Sequence, residues 1–390
     1  MGTDLALNCK NNYVRLLHHV CLIVLILFGL IAVIASGGGG GDDGDSNTDD
    51  GIENSDNYDN PDTSDGTYSG GTISIQSDDE FTAANGVVGG SGTESDPYVI
   101  EGWTIDAFSS DLNAWPYIKV GIAISSTTKY FVIDDCEVEN ADVYGSGIAL
   151  TFLSNGTVQN CILTADYNGI SLDGCSNVVI SYNNIQNCTN GVTTGSCSSD
   201  GIMISNNTVT SCTGIGIKFH YLTNSSATYN DVSSNSEGIA ISSILSGGCS
   251  ISNNTVQGNI YDGLFTDDDS QNLTISGNNT SDNGGIGLSV YGSYNTVSNN
   301  ISSGNGYTGI KCDYTALAGT AAIYNIITDN TASNNGMDGI YIGIGCTNNR
   351  IVQNFCYNNN QQGVPDYYDI SINATPYTQF DNFYYTIKLP

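Results

Sequence analysis

Four residues in the middle of the chain could perform acid–base chemistry, because each falls on or beside one outward-facing row of predicted strand positions. They are Lys218, His220, Asp267 and Asp268. A histidine near a carboxylate can act as an acid or a base, and a lysine can hold a negatively charged substrate. If the strands stack as rungs, Asp173 and Asp267 each lie two rungs, about 10 Å, from His220. The row indicates the groove of a polysaccharide lyase or glycoside hydrolase, with a solvated surface as the competing interpretation.

Aromatic side chains offer a second chemistry, which is sugar binding without catalysis. The chain has 24 tyrosines, and sugar binding needs flat aromatic faces with hydrogen-bonding edges. Several tyrosines lie two or three residues before a repeated glycine, or five or six after one, where turns expose them. The candidate ligand-binding residues are Asp173, Tyr167, Tyr221, Tyr261, Tyr291, Tyr307, Lys311, Asp313 and Tyr314. Because tyrosine suits β surfaces in general, a structural role is the alternative.

An internal repeat sets the elements that must position these residues. A glycine followed by Ile, Val or Leu recurs at intervals of 22 to 30 residues. These glycines are Gly121, Gly147, Gly169, Gly191, Gly216, Gly238, Gly263, Gly285, Gly309, Gly339 and Gly363. Apolar residues alternate in short runs within each unit, which predicts strands, and a period of this length predicts a solenoid. We therefore expect an all-β, right-handed parallel β-helix with three short strands per rung and about 10 to 12 rungs.

In this register the second and fourth residues after each glycine point outward.

An uninterrupted asparagine column marks the corner that follows the middle strand. Its members are Asn183, Asn207, Asn230, Asn254, Asn278, Asn300, Asn330 and Asn354, preceded by Cys136 and Cys161. A parallel column begins with Cys188 and Cys212 and runs from Asn235 to Asn359. Amides stacked about 4.8 Å apart can hydrogen-bond along the stack, so both columns are predicted to face the interior.

The charge balance restricts the partners. Eight Lys and Arg against 40 Asp and Glu give a net charge of −32, which argues against nucleic acid or an anionic membrane surface as a partner. A polysaccharide or cell-surface glycan is the expected partner. No cofactor is expected, although Ca²⁺ is compatible with the charge, and the acidic residues lack the regular loop pattern of a dedicated Ca²⁺ site.

The N-terminal region predicts export. The apolar run Val20–Ala35 follows basic residues and precedes an acidic stretch, which suits a signal peptide or an uncleaved signal anchor. Membrane contact is expected only through this segment, with the remainder at the cell surface or envelope. The predicted divisions are a signal peptide or anchor at 1–36, a disordered acidic linker at 37–71, an N-terminal cap at 72–118, β-helix repeats at 119–365 and a C-terminal cap at 366–390.

Cysteine spacing is not that of a redox or metal motif. Three pairs fall on neighbouring rungs: Cys136 with Cys161, Cys175 with Cys197, and Cys188 with Cys212. Rung spacing lies within the range of a disulfide, but directly stacked parallel residues fit its torsion poorly. Stacked thiols are therefore favoured over disulfides in each pair.

The segment from Gly90 to Trp103, GSGTESDPYVIEGW, followed by Gly-Ile-x-Leu and Asn-Asn-x-Val repeats, resembles the NosD-like right-handed β-helix proteins of the pectin-lyase-like superfamily. The resemblance implies an exported, often surface-displayed protein with a domain type associated with carbohydrate binding and sugar hydrolysis. The family name also implies copper delivery, yet the sequence has no His or Met cluster. The Asp-Pro-His-Asp motif of alginate epimerases and the motif set of polygalacturonases are absent. The preferred hypothesis is a non-catalytic carbohydrate-binding or adhesive module, with a polysaccharide-degrading enzyme and a structural envelope spacer as alternatives.

Overall fold

Short apolar runs form strands here because every second side chain enters a shared core. In Asn168–Asp173, for example, Ile170 and Leu172 are buried while Ser171 and Asp173 lie at the surface. The computed structural model describes residues 71–107, 119–141, 145–244, 247–314 and 320–390. Over these ranges the chain is an all-β, right-handed parallel β-helix of about ten turns, which confirms the predicted fold class. The predicted N-terminal helix and acidic linker lie outside the described residues.

Three parallel sheets run the length of the coil, and each rung contributes one strand to each sheet. Sheet 1 carries the glycine-led strands. Its strands are Ile73–Ile75, Val120–Ser125, Ser146–Thr151, Asn168–Asp173, Asn190–Thr194, Ile215–His220, Glu237–Ser242, Leu264–Thr266, Leu288–Val290, Ile310–Cys312, Ile340–Ile342, Ile370–Ile372 and Ile387–Lys388. Consecutive members pair in register, so Ile217 lies opposite Ile239 and Ile310 opposite Ile340.

Sheet 2 holds the middle strand of each rung. Its strands are Tyr98–Glu101, Phe131–Asp134, Gly156–Gln159, Val179–Ser181, Met203–Ser205, Ser226–Thr228, Ser250–Ser252, Thr274–Ser276, Thr296–Ser298, Ile326–Thr328, Arg350–Val352 and Thr378–Phe380. The strands that precede Thr378–Phe380 each bury an inward-facing apolar residue, such as Ile180 or Ile204. Two short 3-10 helices, Asp78–Glu80 and Ala83–Asn85, precede this sheet near the start of the coil.

Sheet 3 closes the rung and is divided by a short irregular stretch. One part contains Thr104–Asp106, Glu137–Glu139, Ile162–Thr164, Asn184–Gln186, Thr208–Thr210, Asp231–Ser233 and Thr255–Gln257, and the other contains Ile301–Ser303, Thr331–Ser333 and Phe355–Tyr357. Isolated bridges through Asn279 connect the two parts. A separate strand pair, Ser199–Asp200 with Leu222–Thr223, extends the corner between sheets 1 and 2.

The core is a filament of stacked apolar side chains, which one strand position supplies in every rung. Ile148, Ile170, Val192, Ile217 and Ile239 are all fully buried on sheet 1. Sheets 2 and 3 contribute equivalent columns, and together these columns form one continuous cluster from the first rung to the last. The fold therefore needs no globular centre, and each rung is stabilised mainly by its two neighbours.

Asparagine ladders occupy the corners. Asn183 Nδ2 donates to Val158 O at 3.0 Å and to Asn207 Oδ1 at 2.9 Å, and the same Oδ1 accepts the Asn183 backbone N–H. This arrangement recurs rung by rung as far as Asn354, whose amide donates to Asn382. The second ladder ends on a carboxylate, because Asn359 donates to Asp369. A third ladder of Asn295, Asn325 and Asn349 begins in the later rungs and was not among the sequence predictions.

Two of the eleven glycines do not open a rung as expected. Leu288 pairs with Leu264 and with Ile310, so Gly287 rather than Gly285 leads that strand. A Cβ on Gly287 would lie 2.0 Å from Ser302 Oγ, which leaves room only for glycine there. The second exception is Gly363, which is exposed with a φ of 67° and lies outside the strand that begins at Ile370.

None of the ten cysteines in the described ranges forms a disulfide, and all but Cys197 are buried. Cys136 Sγ lies 3.7 Å from Ile100 O, and Cys161 Sγ lies 3.1 Å from Gln159 O. Within the part of the chain that the structure describes, no helix is long and apolar enough to cross a membrane. The predicted signal segment at 1–36 is not part of that region.

Candidate functional site

Two columns of outward side chains run along sheet 1 and carry most of the predicted site residues. The first contains Ser171, Thr193, Lys218, Ala240, Phe265, Ser289, Lys311 and Tyr341. The second lies two residues further along each strand and contains Asp173, Gly195, His220, Ser242, Asp267, Tyr291, Asp313 and Gly343. The sequence pattern, with Gly285 at the head of this strand, assigned Gly287 and Ser289 to the two outward columns. Because Gly287 leads the strand instead, Ser289 and Tyr291 occupy those positions. Ser289 is fully buried despite its position.

Lys218, His220 and Asp267 lie on these columns, and the last two are bonded to other residues. His220 Nδ1 is 2.5 Å from Ser242 Oγ, and Ser242 occupies the rung between His220 and Asp267. Asp267 accepts hydrogen bonds from the Ser243 backbone N–H of the preceding rung at 2.9 Å and from Ser270 Oγ of its own turn at 2.6 Å. The structure brings Lys218 and His220 onto one strand but places Asp267 two rungs away.

Electrostatics around this group follow from partial burial. Burial, followed by the nearby charge of Lys218, lowers the pKa of His220 from its ordinary value. Burial also raises the pKa of Asp267, against the lowering effect of its bonds to Ser270 and Ser243. Asp268 accepts a hydrogen bond from Thr320 Oγ1 at 2.7 Å. Partial burial thus disfavours the charged form of His220, while both Asp267 oxygens already accept hydrogen bonds.

A more concentrated set of side chains surrounds Lys311. Its Nζ lies 3.0 Å from Asp313 Oδ2 and 5.9 Å from the ring centroids of both Tyr291 and Tyr341, which stand in the rungs before and after it. Burial alone would lower the pKa of Lys311, but the hydrogen bond to Asp313 and the neighbouring tyrosines raise it. The ammonium group is therefore a fixed cation between two aromatic rings.

Beside Lys311 lies a groove of about 330 Å³, which we call the Lys311 groove. It lies between the outward column of sheet 1 and the corner that joins sheets 3 and 1. Its lining residues are Ile286, Tyr307, Thr308, Lys311, Asp313, Met337, Asp338, Tyr341 and Tyr367. Tyr307, Met337 and Tyr367 form the corner wall, Lys311 and Tyr341 form the sheet wall, and the buried Thr308 and Asp338 lie between the walls.

Glycine sets the shape of the corner wall. A Cβ on Gly306 would lie 2.1 Å from Gly284 O, and one on Gly336 would lie 2.0 Å from Gly306 O. Successive rungs therefore pack backbone against backbone at this point. The residue that follows each glycine, Tyr307 or Met337, remains at the surface, and 48% of Tyr307 is exposed. The local sequence thus places an aromatic ring at the lip of the groove.

Carboxylates between the walls supply hydrogen-bond acceptors. Asp338 is only 2% exposed and accepts the Tyr368 backbone N–H at 2.7 Å through Oδ1. Burial raises the pKa of Asp338 to about 6, partly offset by that bond and by Lys388. Asp262, in an equivalent place two rungs earlier than Thr308, accepts the Ile286 N–H at 2.7 Å, and burial raises its pKa too. Asp313 Oδ1 is buried without a hydrogen-bond partner.

The remaining predicted ligand-binding residues are distributed along the coil. Tyr261 stands on the same corner as Tyr307 and is 60% exposed. Tyr221 packs against the His220 ring with centroids 4.1 Å apart, and Tyr314 is exposed where the chain pairs with Ala321. The binding roles of these three tyrosines stay predictions.

A second, smaller groove of about 260 Å³ lies on the same corner near the start of the coil. It is lined by Asp166 and Tyr167 among others, and Asp166 is 3% exposed with Oδ2 lacking a hydrogen-bond partner. Burial raises the pKa of Asp166 to about 7, although its bond from the Ala141 N–H opposes this. Asp173 lies beyond this groove and accepts the Cys197 N–H at 2.7 Å.

Sequence reasoning did not select Tyr341, Asp338, Met337 or Tyr367. Tyr341 was visible on the outward column, but nothing in the sequence distinguished it from other surface tyrosines. Asp338 directly precedes a repeat glycine, as Asp262 does, and this recurrence was a usable signal for a buried acceptor. Tyr367 follows an insertion, so its distance from the repeat gave no indication of its place beside Met337.

Metal ligands do not cluster in the described ranges, where no group of three or more His, Cys, Asp or Glu could hold an ion. A copper site requires imidazole, thiolate or thioether ligands together. His220 is hydrogen-bonded to Ser242. Met203 lies on sheet 2, and Met337 lies several rungs away on the corner between sheets 3 and 1. The residues present therefore do not fit a copper centre, and the acidic linker proposed for Ca²⁺ lies outside the described residues.

Two family profiles match the chain and together span most of it. Residues 52–245 match the family described as periplasmic copper-binding protein (NosD). Residues 240–367 match the right-handed β-helix region. No curated protein matches the sequence.

Several solved structures share the fold at low sequence identity. The periplasmic alginate epimerase AlgG, in a double-mutant form, is 14% identical with a TM-score of 0.54, over 75% of this chain and 69% of that one. The Dettilon tailspike protein is 15% identical with a TM-score of 0.48, over 72% and 55%. The A-module of mannuronan C-5 epimerase AlgE6 from Azotobacter vinelandii is 13% identical with a TM-score of 0.45, over 74% and 89%. Identities this low show a common fold alone.

Proposed function

Because this chain is a NosD-like right-handed β-helix protein of the pectin-lyase-like type, we propose that it is an exported, non-catalytic carbohydrate-binding protein. Its ligand lies in the Lys311 groove. Export is supported by the predicted signal segment and by the periplasmic family, and the tether at 37–71 holds or releases the coil at the cell surface. The periplasmic alginate epimerase AlgG, which has a similar fold, is in keeping with a glycan partner.

The combination of aromatic faces and fixed polar groups in one groove carries this proposal. Tyr307, Tyr341 and Tyr367 line it, and rings of this kind stack on the apolar faces of sugars. Lys311, Asp313 and Asp338 supply a donor and acceptors within the same space. Pockets that orient a ligand with a few polar groups among apolar walls are the usual form of a binding site.

A neutral glycan fits the charges better than an acidic one. Lys311 is already paired with Asp313, and Asp262 and Asp338 lie nearby. With a net charge of −32 the whole chain repels polyanions. Carboxylates accept hydrogen bonds from sugar hydroxyl groups, so the same residues that reject an anionic chain serve a neutral one.

The charged groups of the groove are each bonded to a protein partner, which supports binding over catalysis. General acid–base catalysis needs a side chain within hydrogen-bond reach of the reacting proton and free to exchange it. The Lys311 ammonium is held by Asp313, and Asp338 is held by Tyr368. The alternative enzyme would use Lys218, His220 and Asp267, where the lowered pKa of His220 suits a base but Asp267 is bonded to Ser243 and Ser270.

The test is a glycan-binding screen of the full chain, with neutral and acidic polysaccharides and with and without Ca²⁺. We expect neutral glycans to bind and to remain intact when the bound material is analysed by chromatography. Shortened or unsaturated products would contradict the non-catalytic proposal, and their loss in His220→Ala would then locate the active site. No binding to any glycan would leave the structural spacer as the better account.

Tyrosine variants locate the site. We expect Tyr307→Ala or Tyr341→Ala to weaken binding about tenfold, because truncating a central aromatic contact typically costs more than 1 kcal/mol. The control is Tyr229→Ala, which removes an exposed ring from the corner between sheets 2 and 3. Equal losses in all three variants would place the ligand elsewhere. Titration calorimetry with the best glycan of the screen measures each affinity.

A further inference from the structure

Tyr261 and Tyr307 lie two rungs apart on the corner between sheets 3 and 1. Tyr261 O accepts the Gly285 N–H at 2.9 Å, and Tyr307 N donates to Gly285 O at 3.0 Å, so Gly285 is the single rung between them. Met337 N donates to Tyr307 O at 3.1 Å. The corner changes course after Met337, because Met337 O accepts the Asn360 N–H at 2.7 Å, and Tyr367 lies in the irregular turn that follows, where it lines the same groove as Met337.

The rungs beside these rings are open or apolar. Gly285 has no side chain to fill the space between Tyr261 and Tyr307, and Met337 offers a flexible thioether in the rung after Tyr307. Tyr261 and Tyr307 are 60% and 48% exposed. These two tyrosines are therefore separated by two rungs, about 9.6 Å, along the axis of the coil. A ligand that contacts both must present a flat face at this interval.

A sugar chain presents flat ring faces at this regular interval only when its rings are joined by certain linkages. When both bonds of each ring are equatorial, as in β-1,4-linked glucose or N-acetylglucosamine, alternate rings turn the same face to one side. Two such rings span nearly the same length as two rungs. Chains with α-1,4 or β-1,3 linkages curve, so their ring faces leave a straight row after one or two residues.

Resting on the carbohydrate-binding function proposed above, we infer that the ligand is an extended, neutral β-1,4-linked glycan lying parallel to the coil axis. Alternate sugar rings stack on Tyr261 and Tyr307, the ring between them faces Gly285, and the next ring lies beside Met337 and Tyr367 in the groove. Asp338 accepts hydroxyl hydrogen bonds from the groove side of the chain. This assigns both the linkage class of the ligand and its direction on the protein.

The linkage is tested with soluble oligosaccharides of matched length and the full chain. We expect cellohexaose or chitohexaose to bind about tenfold or more tightly than maltohexaose and laminarihexaose. Affinity should also rise sharply between the dimer and the tetramer of the preferred series, where a second tyrosine is first reached. Preference between the glucose and N-acetylglucosamine series identifies the sugar and supports the inference in either case. Equal binding of all four hexamers would overturn it.

The spacing is tested by moving one ring by a single rung. Tyr261→Ser combined with Ser236→Tyr keeps the number of tyrosines but sets the displaced ring three rungs from Tyr307. We expect this double variant to bind the β-1,4 hexamer as weakly as Tyr261→Ala, with the dimer unchanged in both. Circular dichroism and thermal unfolding establish that the variants are folded, and Tyr261→Ala alone carries the test if the double variant is not.

The outcomes separate the inference from the function on which it rests. In one outcome, Tyr307→Ala loses glycan binding, but affinity depends neither on the linkage of the glycan nor on Tyr261→Ala. This outcome retains the proposed function and overturns the extended-chain ligand. Full affinity in the double variant would likewise overturn the two-rung spacing. Failure of every glycan to bind overturns both proposals.

Discussion

At the scale of single residues, the fold places a few carboxyl groups where their charge is poorly solvated. Asp166 and Asp338 are 3% and 2% exposed, and burial raises the pKa of each, to about 7 and about 6. Neither has a cation bonded to it in the described part of the chain. A buried carboxyl without a counter-charge favours its protonated form, so each residue links stability to pH.

Replacing Asp166 with asparagine tests this linkage. The folded-state pKa of about 7 lies above the ordinary value of 3.8, so the folded protein binds the extra proton between these limits. Stability from the protonated group is therefore present below about pH 4 and is lost as the pH rises to 7. We expect Asp166→Asn to be more stable than the parent by about 1–3 kcal/mol at pH 8 and equally stable at pH 4.

Urea unfolding at the two pH values measures the difference. Asp231→Asn, at an exposed strand position on sheet 3, is the control that removes one charge without removing a buried carboxyl. A gain of the same size in both variants would mean that overall charge reduction, not burial of Asp166, is responsible. An equal gain from Asp166→Asn at pH 4 would contradict the linkage.

At the scale of strands and corners, the asparagine ladders determine how rungs stack. Asn254 Oδ1 accepts both the backbone N–H and the side-chain amide of Asn230, and Asn254 Nδ2 donates to Ala227 O and to Asn278 Oδ1. Each amide thus satisfies buried polar groups in the rungs on both sides of its own. A corner turned inward without this side chain would leave those groups unpaired.

Asn254→Ala is therefore expected to be strongly destabilising. Removing the amide leaves the backbone N–H and one side-chain N–H of Asn230 buried without their acceptor, and each such group costs about 1–3 kcal/mol. We expect a loss of about 3–5 kcal/mol in the free energy of unfolding, measured in urea. The control, Asn184→Ala, removes an exposed asparagine from the outer side of sheet 3 and should cost less than about 0.5 kcal/mol. A mild effect at Asn254 would mean that water replaces the amide.

The repeat in the sequence was sufficient to predict the coil, because glycine-led strands and corner asparagines recur with every rung. It was not sufficient at Gly285 and Gly287, which both precede an apolar residue. The pairing of Leu288 with Leu264 and Ile310 on neighbouring rungs puts Gly287 at the head of the strand, and a local pattern cannot contain that information. The shift of two residues moves Tyr291 from a predicted turn onto the sheet beside Lys311. The Lys311 cluster therefore could not be assembled from sequence, although Lys311 and Asp313 were both selected.

At the scale of the whole molecule, charge opposes the compact state. The chain carries 40 acidic and 8 basic residues, and a rigid coil fixes many of these charges at distances where they repel. Columns of one strand position bring like charges close to one another, since neighbouring rungs are about 4.8 Å apart. Like-charge repulsion of this kind lowers stability and is screened by salt.

Salt should therefore stabilise the protein at neutral pH. Between 10 mM and 500 mM NaCl the screening length falls from about 30 Å to less than 10 Å, and we expect the thermal midpoint to rise by a few degrees at pH 7. The control is the same series near the isoelectric point of about 4.1, where the net charge vanishes and the midpoint should be insensitive to salt. A flat response at pH 7 would mean that the acidic residues are too widely spaced to destabilise the coil. Replacing NaCl by MgCl₂ and by CaCl₂ at equal ionic strength then separates screening from binding, because only a site that selects Ca²⁺ raises the midpoint beyond its Mg²⁺ value.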